Sequence, residues 1–268
     1  MSTDFLSLVS APPSGRETAV VIDHQTYARA VILQGRPIPW ADPVAYAQFL
    51  AQAQGLLHPD TTLIDLGARY EHALADDAAL RAALSARSRV GYALKTLLSD
   101  EKHAAAAADL VTVVTQTSSA PVVLQIPSPL LWLARTHAAD GSGNTAELTE
   151  HHVETAAMFI AGWLRQLSAL PIAMLLLDER WSGPGELPQI SDDAYSPVVN
   201  VAEHYRWILG RRRDDGVTVL GSEVYGAAVP ADYWLSESAA APAGDFLVAE
   251  IPGHAVPETV LAQLAKLA

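Results

Sequence analysis

The sequence contains no cysteine and only three lysines, Lys95, Lys102 and Lys266, among its 268 residues. Without cysteine there are no disulfide bonds, thiolate nucleophiles or zinc sites that depend on cysteine. A chain free of disulfides is typical of a reducing compartment, so we expect a cytoplasmic protein. The lysines fall on predicted helices or at the C-terminus, which disfavours Schiff-base chemistry, because that requires a lysine in an apolar pocket.

Long apolar runs and the common catalytic motifs are also missing. No eighteen consecutive residues are apolar, and the segment MSTDFLSLVSAPPSGRE lacks the basic start and apolar core of a signal peptide. No GxSxG, GxGxxG or HExxH motif occurs, so a serine hydrolase, a nucleotide cofactor or a zincin site has no support. The formal net charge of −13 argues against nucleic acid or an anionic membrane as a partner. We expect a small-molecule substrate, no cofactor and no bound metal, with homo- or hetero-oligomerisation left open.

The most informative stretch is ELTEHHVETAAMFIAGWLRQLSALPIAMLLLDERW, residues 147–181. Its first two thirds have the apolar spacing of a helix, and residues 172–177 then form an unbroken apolar run. Such a run behind a helix is typical of a strand that is buried on both faces of a parallel sheet. The run ends at Asp178, Glu179 and Arg180. In α/β folds, ligands bind where such strands end.

Further short apolar segments alternate with helical ones along the chain. The predicted strands are 62–66, 122–126, 172–177, 217–220 and 246–251, and residues 5–9 are a candidate first strand. Residues 198–212 are predicted to be a helix and residues 227–243 to be irregular. Alternating strands and helices imply a parallel sheet with helices outside it. We therefore predict one domain over residues 1–268, with a (β/α)8 TIM-barrel-like fold that is truncated or irregular near its N-terminus.

Polar residues at the ends of successive parallel strands converge on one face, and this places the candidate site. Asp178 and Glu223 are predicted to be a catalytic carboxylate pair, which can act as general acid and base if burial separates their pKa values. The same pair could instead bind an amine or guanidinium without chemistry. The predicted substrate-binding residues are Asp65, Gln125, Glu179, Arg180 and Ser222, with Arg180 as an anion clamp.

Two other motifs have simpler interpretations. His151 and His152 are adjacent and point to different faces of a helix, so we predict residues of a capping turn rather than metal ligands. The segment GSGN at residues 141–144 lacks the lysine and spacing of a phosphate loop, and we predict a loop with a helix cap.

The stretch ending in LLLDE resembles the barrel of cobalamin-independent methionine synthases, in which the matching strand ends in Asp-Glu-Pro. The upstream VVLQIPSP and the downstream VTVLGSEVYG are similar to further strands of that family, so the resemblance spans residues 121–226. Uroporphyrinogen decarboxylase-like barrels resemble the chain in general layout. The resemblance implies a transferase-like barrel in which Asp178 binds the amino group of the substrate.

The departures from that family lie at its zinc site. Ser222 and Val224 stand where the family has its zinc histidine and cysteine, and Arg180 replaces the proline after Asp-Glu. Zinc-activated thiol chemistry therefore does not carry over. Two hypotheses remain: a metal-independent enzyme that acts on a small amino acid or carboxylate by acid/base or small-group-transfer chemistry, and a catalytically silent barrel that binds a ligand or a partner subunit.

Overall fold

The computed structural model describes residues 5–138 and 144–267, which form one eight-stranded sheet with eleven α-helices. The strands are β1 Ala19–Asp23, β2 Thr62–Asp65, β3 Val122–Pro127, β4 Ile172–Asp178, β5 Ile208–Arg212, β6 Gly216–Val219, β7 Tyr225–Val229 and β8 Phe246–Glu250. The helices are α1 Phe5–Ser10, α2 Gln25–Val31, α3 Pro43–Leu57, α4 Leu66–Asp76, α5 Ala78–Leu84, α6 Tyr92–Ser99, α7 Glu101–Thr117, α8 Pro129–His137, α9 Glu150–Leu164, α10 Ser196–Tyr205 and α11 Pro257–Ala265. None of these helices is long and apolar enough to cross a membrane, for the part of the chain that the structure describes.

The sheet curls into a nearly closed barrel. Its strand order is β1-β8-β7-β6-β5-β4-β3-β2, so the first and second strands are the two edges. Asp60 links these edges: its backbone N–H donates to Val20 O at 2.9 Å, and its Oδ2 accepts from Val20 N at 2.8 Å. The predicted barrel-like α/β architecture is confirmed at this level, and all five predicted strands are present.

One strand breaks the regular alternation of strand and helix. β6 is antiparallel to both β5 and β7, and the three strands follow one another with no helix between them. The other seven strands run in one direction. The sequence prediction was wrong at two places here. The helix predicted to reach residue 212 ends at Tyr205, and β7 extends to Val229, into the segment 227–243 that was predicted to be irregular. A left-handed residue, Arg206, ends the helix at φ 58°, and β5 then pairs with β4.

The interior of the barrel is apolar at the end where the parallel strands begin. The first helix lies there, whereas the sequence suggested a strand over residues 5–9. Phe5 is fully buried and meets Phe246 edge to face at 5.2 Å between ring centroids, and Leu8 is buried in the same cluster. These side chains pack against inward-facing residues such as Val21 and Val248, so α1 closes this end of the barrel.

The helix starts follow the local sequence closely. Asp42 caps α3 by accepting from two backbone N–H groups, with Pro43 in the first turn. Thr149 and His152 form a capping box at the start of α9, where His152 Nδ1 accepts from Thr149 N, which confirms the predicted capping turn. Asn144 caps the short 3-10 turn at residues 145–147. Residues 141–143 of the predicted loop lie outside the described part of the chain.

Candidate active site at the carboxyl ends of the strands

A layer of polar side chains occupies the barrel interior where the parallel strands end. Along each strand, alternate residues face inward, and the apolar layers formed by residues such as Val21, Leu63 and Leu176 give way to polar ones at the last inward position. Six strands contribute to this polar layer, which consists of Asp23, Asp65, Gln125, Asp178, Arg212 and Glu250. Asp65 is half-buried and Glu250, at the rim, is exposed, whereas the other four are buried. The predicted residues Asp65, Gln125 and Asp178 are thus brought together.

Arg212 is the centre of the polar layer. Its Nη1 donates to Gln125 Oε1 at 2.7 Å and to Asp23 Oδ2 at 3.0 Å, and its Nη2 donates to Glu250 Oε2 at 3.1 Å. Only 4% of Arg212 is exposed. A buried guanidinium requires such partners, because an unpaired charge in the interior is very costly. The sequence pattern predicts a helix at this arginine, so Arg212 was not among the predicted site residues.

Arg180 binds two carboxylates of the same layer. Its Nε and Nη2 donate to the two oxygens of Asp178 at 2.8 and 3.0 Å, and its Nη1 donates to Glu250 Oε2 at 2.6 Å. Burial alone would raise the pKa of Asp178, but the hydrogen bonds and charge of Arg180 hold that pKa below its ordinary value. Because these contacts occupy Arg180, the structure gives no support to the predicted anion clamp.

Asp65 has a different environment, since neither of its hydrogen-bond partners among the described residues is a cation. Its Oδ1 accepts from Ala68 N at 3.0 Å, as the cap of α4, and its Oδ2 accepts from Gln125 Nε2 at 2.9 Å. Burial is the largest influence and raises the pKa of Asp65 to about 7, with a further increase from the charges of Asp23 and Asp178. Asp65 can therefore exchange a proton near neutral pH.

The layer carries an excess of negative charge, since four carboxyl groups face two guanidinium groups. This excess negative charge is larger when Asp65 is ionised and smaller when Asp65 carries a proton. A ligand with a positive charge would also reduce it. The polar layer is therefore suited to binding a cation or to transferring a proton.

Two buried polar groups near the layer were not assigned a role from sequence. His24 follows Asp23 directly, and its Nδ1 lies 3.2 Å from Ile22 O, while its Nε2 has no partner among the described residues. Tyr46 Oη is likewise buried without a described partner. Both rings flank Phe49, at 6.5 and 6.3 Å between centroids. Burial lowers the pKa of His24 and raises that of Tyr46, with the charges of Asp65 and Asp23 adding to the latter, so both groups are neutral at pH 7.

Glu179 lies beside the layer rather than within it. Its two oxygens accept from Arg211 Nε at 2.7 Å and from Arg213 Nε at 2.9 Å, and Arg211 also pairs with Asp192. These residues, together with Trp181, line an open groove of about 490 Å³ next to the barrel mouth. Glu179 therefore lines this groove, and two arginines already pair with it.

Glu223 and Ser222 lie at the opposite end of the barrel, and the prediction that they share a face with Asp178 was wrong. β6 runs antiparallel to its neighbours, so its carboxyl end points away from the polar layer. Glu223 is exposed there, and Ser222 Oγ accepts from Val224 N at 3.1 Å in a local turn. Sequence gave no sign of the reversal, because a short apolar strand looks the same in either direction.

No group of three or more His, Asp or Glu side chains is arranged to hold a metal ion within residues 5–138 and 144–267. Comparison of the chain with protein families, with curated proteins and with solved structures found no match. The geometry of the polar layer is therefore the basis for inferring a function.

Proposed function

We propose that this protein is a metal-independent enzyme that binds a small polar substrate with an amine or guanidinium group at the mouth of the barrel. In this proposal Asp65 accepts or donates the proton in the reaction. The observation that carries it is the position of Asp65: a strand-end carboxyl that pairs with no guanidinium of the described residues, in a layer with excess negative charge. An amino acid is the substrate class that fits best.

Each neighbour has a part in this proposal. Gln125 fixes one oxygen of Asp65 and is itself fixed by Arg212, so the carboxyl is held in one orientation. Asp23 and Asp178 favour the protonated form of Asp65 and attract a cationic substrate. The binding of a cation nearby would lower the pKa of Asp65, which would help it release its proton to a bound substrate.

We also propose that the fold derives from a (β/α)8 barrel of the methionine synthase-like and uroporphyrinogen decarboxylase-like type, with a hairpin in place of regular βα units. Support comes from the position of Asp178 at the end of a buried parallel strand, as the resemblance implies. The substrate's amino group would then share Asp178 with Arg180. A transferase reaction is one form that the chemistry could take.

A second candidate is a catalytically silent barrel that binds a ligand or supports a partner subunit. The observation that favours it is the extent of pairing: Arg212 and Arg180 together contact Asp23, Asp178 and Glu250. A polar layer with this many ion pairs can have a structural role inside the barrel and take no part in catalysis. The two candidates differ in what Asp65 does.

The first experiment is a thermal-shift screen against amino acids, amines, guanidines, carboxylates, folates, thiols and divalent metals. A ligand at a hundred times its Kd adds about 2.7 kcal/mol of stability, which the screen would detect. We expect a hit among cationic amino acids or amines. If no class of compound shifts the melting temperature, no substrate supports the proposed enzyme, and the catalytically silent barrel is favoured.

Variants then separate catalysis from binding. With a substrate in hand, Asp65→Asn should lower kcat by about 10²–10⁴-fold, the usual contribution of a general acid or base. Glu223→Gln is the matched control, because it neutralises an exposed carboxylate at the other end of the barrel. Turnover by Asp65→Asn at the wild-type rate would exclude Asp65 as the proton-transfer group.

A further inference from the structure

A second groove lies on the outer helical layer, away from the ends of the strands. It runs between the segment that leads into α6 and the side of α9, and its volume is about 590 Å³. Arg87, Arg89 and Lys95 line it together with the rings of Tyr92 and Phe159. That volume is within the range of sites for small molecules, roughly 300–1,000 Å³.

The described lining of this groove has more positive than negative side chains, with three cations and one carboxylate. Among residues 5–138 and 144–267, Arg87, Arg89 and Lys95 form no ion pair, in contrast to the arginines of the barrel mouth. One carboxylate, Asp100, lines the groove, and its Oδ1 accepts from His103 N as the cap of α7. A cluster of exposed positive charge in a chain of net charge −13 creates a local field that attracts anions.

Aromatic rings position two of these cations. The guanidinium carbon of Arg87 lies 5.4 Å from the centre of the Tyr92 ring, and Lys95 Nζ lies 5.8 Å from the centre of the Phe159 ring. Cation–π contacts of this kind orient the charged groups without neutralising them. Their N–H groups remain available to an anion, and the rings offer an apolar surface beside it.

We propose that this groove binds a small organic molecule that carries a phosphate group. Arginine donates two parallel hydrogen bonds to phosphate oxygens, and lysine adds a compact charge. The rings of Tyr92 and Phe159 contact the organic part of the ligand. The groove shares no lining residue with the barrel mouth, so this proposal is independent of the function proposed there.

Isothermal titration calorimetry on the whole chain tests the proposal with inorganic phosphate, glucose 6-phosphate and adenosine monophosphate as probes. Glucose and adenosine serve as uncharged counterparts. We expect at least one phosphate ester to bind more tightly than inorganic phosphate, and neither counterpart to bind. Absence of binding by all three phosphates would overturn the proposal, and equal affinity for inorganic phosphate and both esters would overturn the role of the aromatic rings.

The variants Arg89→Gln and Lys95→Gln locate the binding. Each should weaken the bound ester about tenfold, the effect of losing a hydrogen bond to a charged group. Both side chains are exposed, so the fold should be unaffected. Arg165→Gln is the control, because it removes an exposed positive charge outside the groove. Wild-type affinity in both groove variants, or an equal loss in the control, would show that the phosphate binds elsewhere.

Discussion

Replacement of Asp65 by asparagine should make the protein more stable at alkaline pH. The pKa of Asp65 rises from its ordinary 3.8 to about 7 in the folded protein, mainly because the group is buried. Because the pKa of Asp65 is higher in the folded state than in the unfolded state, its contribution to the stability of the fold is fully present below pH 3.8. That contribution is lost as the pH rises to about 7. Asparagine carries no charge at any pH and escapes that loss.

The size of the effect follows from the shift. An increase of the pKa from 3.8 to about 7 corresponds to a stability loss of about 4 kcal/mol at pH 8, of which about 1–2 kcal/mol is already lost at pH 5. Asparagine has one oxygen for two donors, Gln125 Nε2 and Ala68 N, and losing one hydrogen bond costs about 1 kcal/mol at every pH. The stability of Asp65→Asn relative to wild type should therefore be about 2–3 kcal/mol higher at pH 8 than at pH 5.

Urea unfolding followed by tryptophan fluorescence measures this difference, since the chain has six tryptophans. Glu223→Gln should change stability by less than about 0.5 kcal/mol at both pH values, because that side chain is exposed. A relative stability of Asp65→Asn that does not vary between pH 5 and pH 8 would refute the reasoning. Asp65 would then ionise as an ordinary carboxylate and could not exchange a proton near neutrality.

Three further predictions concern stability and use the same unfolding assay. Arg212→Met should lower the free energy of unfolding by about 3–5 kcal/mol, because it removes one side of a buried ion-pair network. Arg135→Met breaks a surface ion pair and should lower it by less than about 1 kcal/mol. Similar values for the two variants would show that the network is not buried. Phe5→Ala should lower the free energy of unfolding by about 3–5 kcal/mol, because it removes the buried ring with which α1 closes one end of the barrel. A loss below about 1 kcal/mol would show that α1 is dispensable for stability. Gly216→Ala should destabilise the protein by more than about 1 kcal/mol, since a Cβ there would lie 2.2 Å from the backbone oxygen of Gly226 on the next strand. Gly162→Ala, in an open position on a helix, should stabilise the protein by about 0.5–1 kcal/mol. The reverse order of stabilities would contradict the hairpin geometry.

The sequence alone determined the elements that depend on local chemistry. Asp42 with Pro43 and the Thr149–His152 box set helix starts because capping is satisfied within one turn of the chain. The apolar run at residues 172–177 could be predicted as a buried strand because six consecutive apolar residues suit a strand that is covered on both faces, and all six are buried. The strand-end group of Asp65, Gln125 and Asp178 followed from the expectation that parallel strands end on one face.

Only the tertiary structure decided which strand ends share that face. The direction of β6 is set by hairpin pairing with β5 and β7, and this places Glu223 at the far end of the barrel. Arg212 reaches the polar layer because residues 208–212 form a strand that pairs in parallel with β4, so that Arg212 lies beside Asp178. Asp23 joined the layer because β1 pairs with β8, which is more than two hundred residues away along the chain. The proton affinity of Asp65 likewise depends on burial and on charges from other strands, and a linear pattern contains neither.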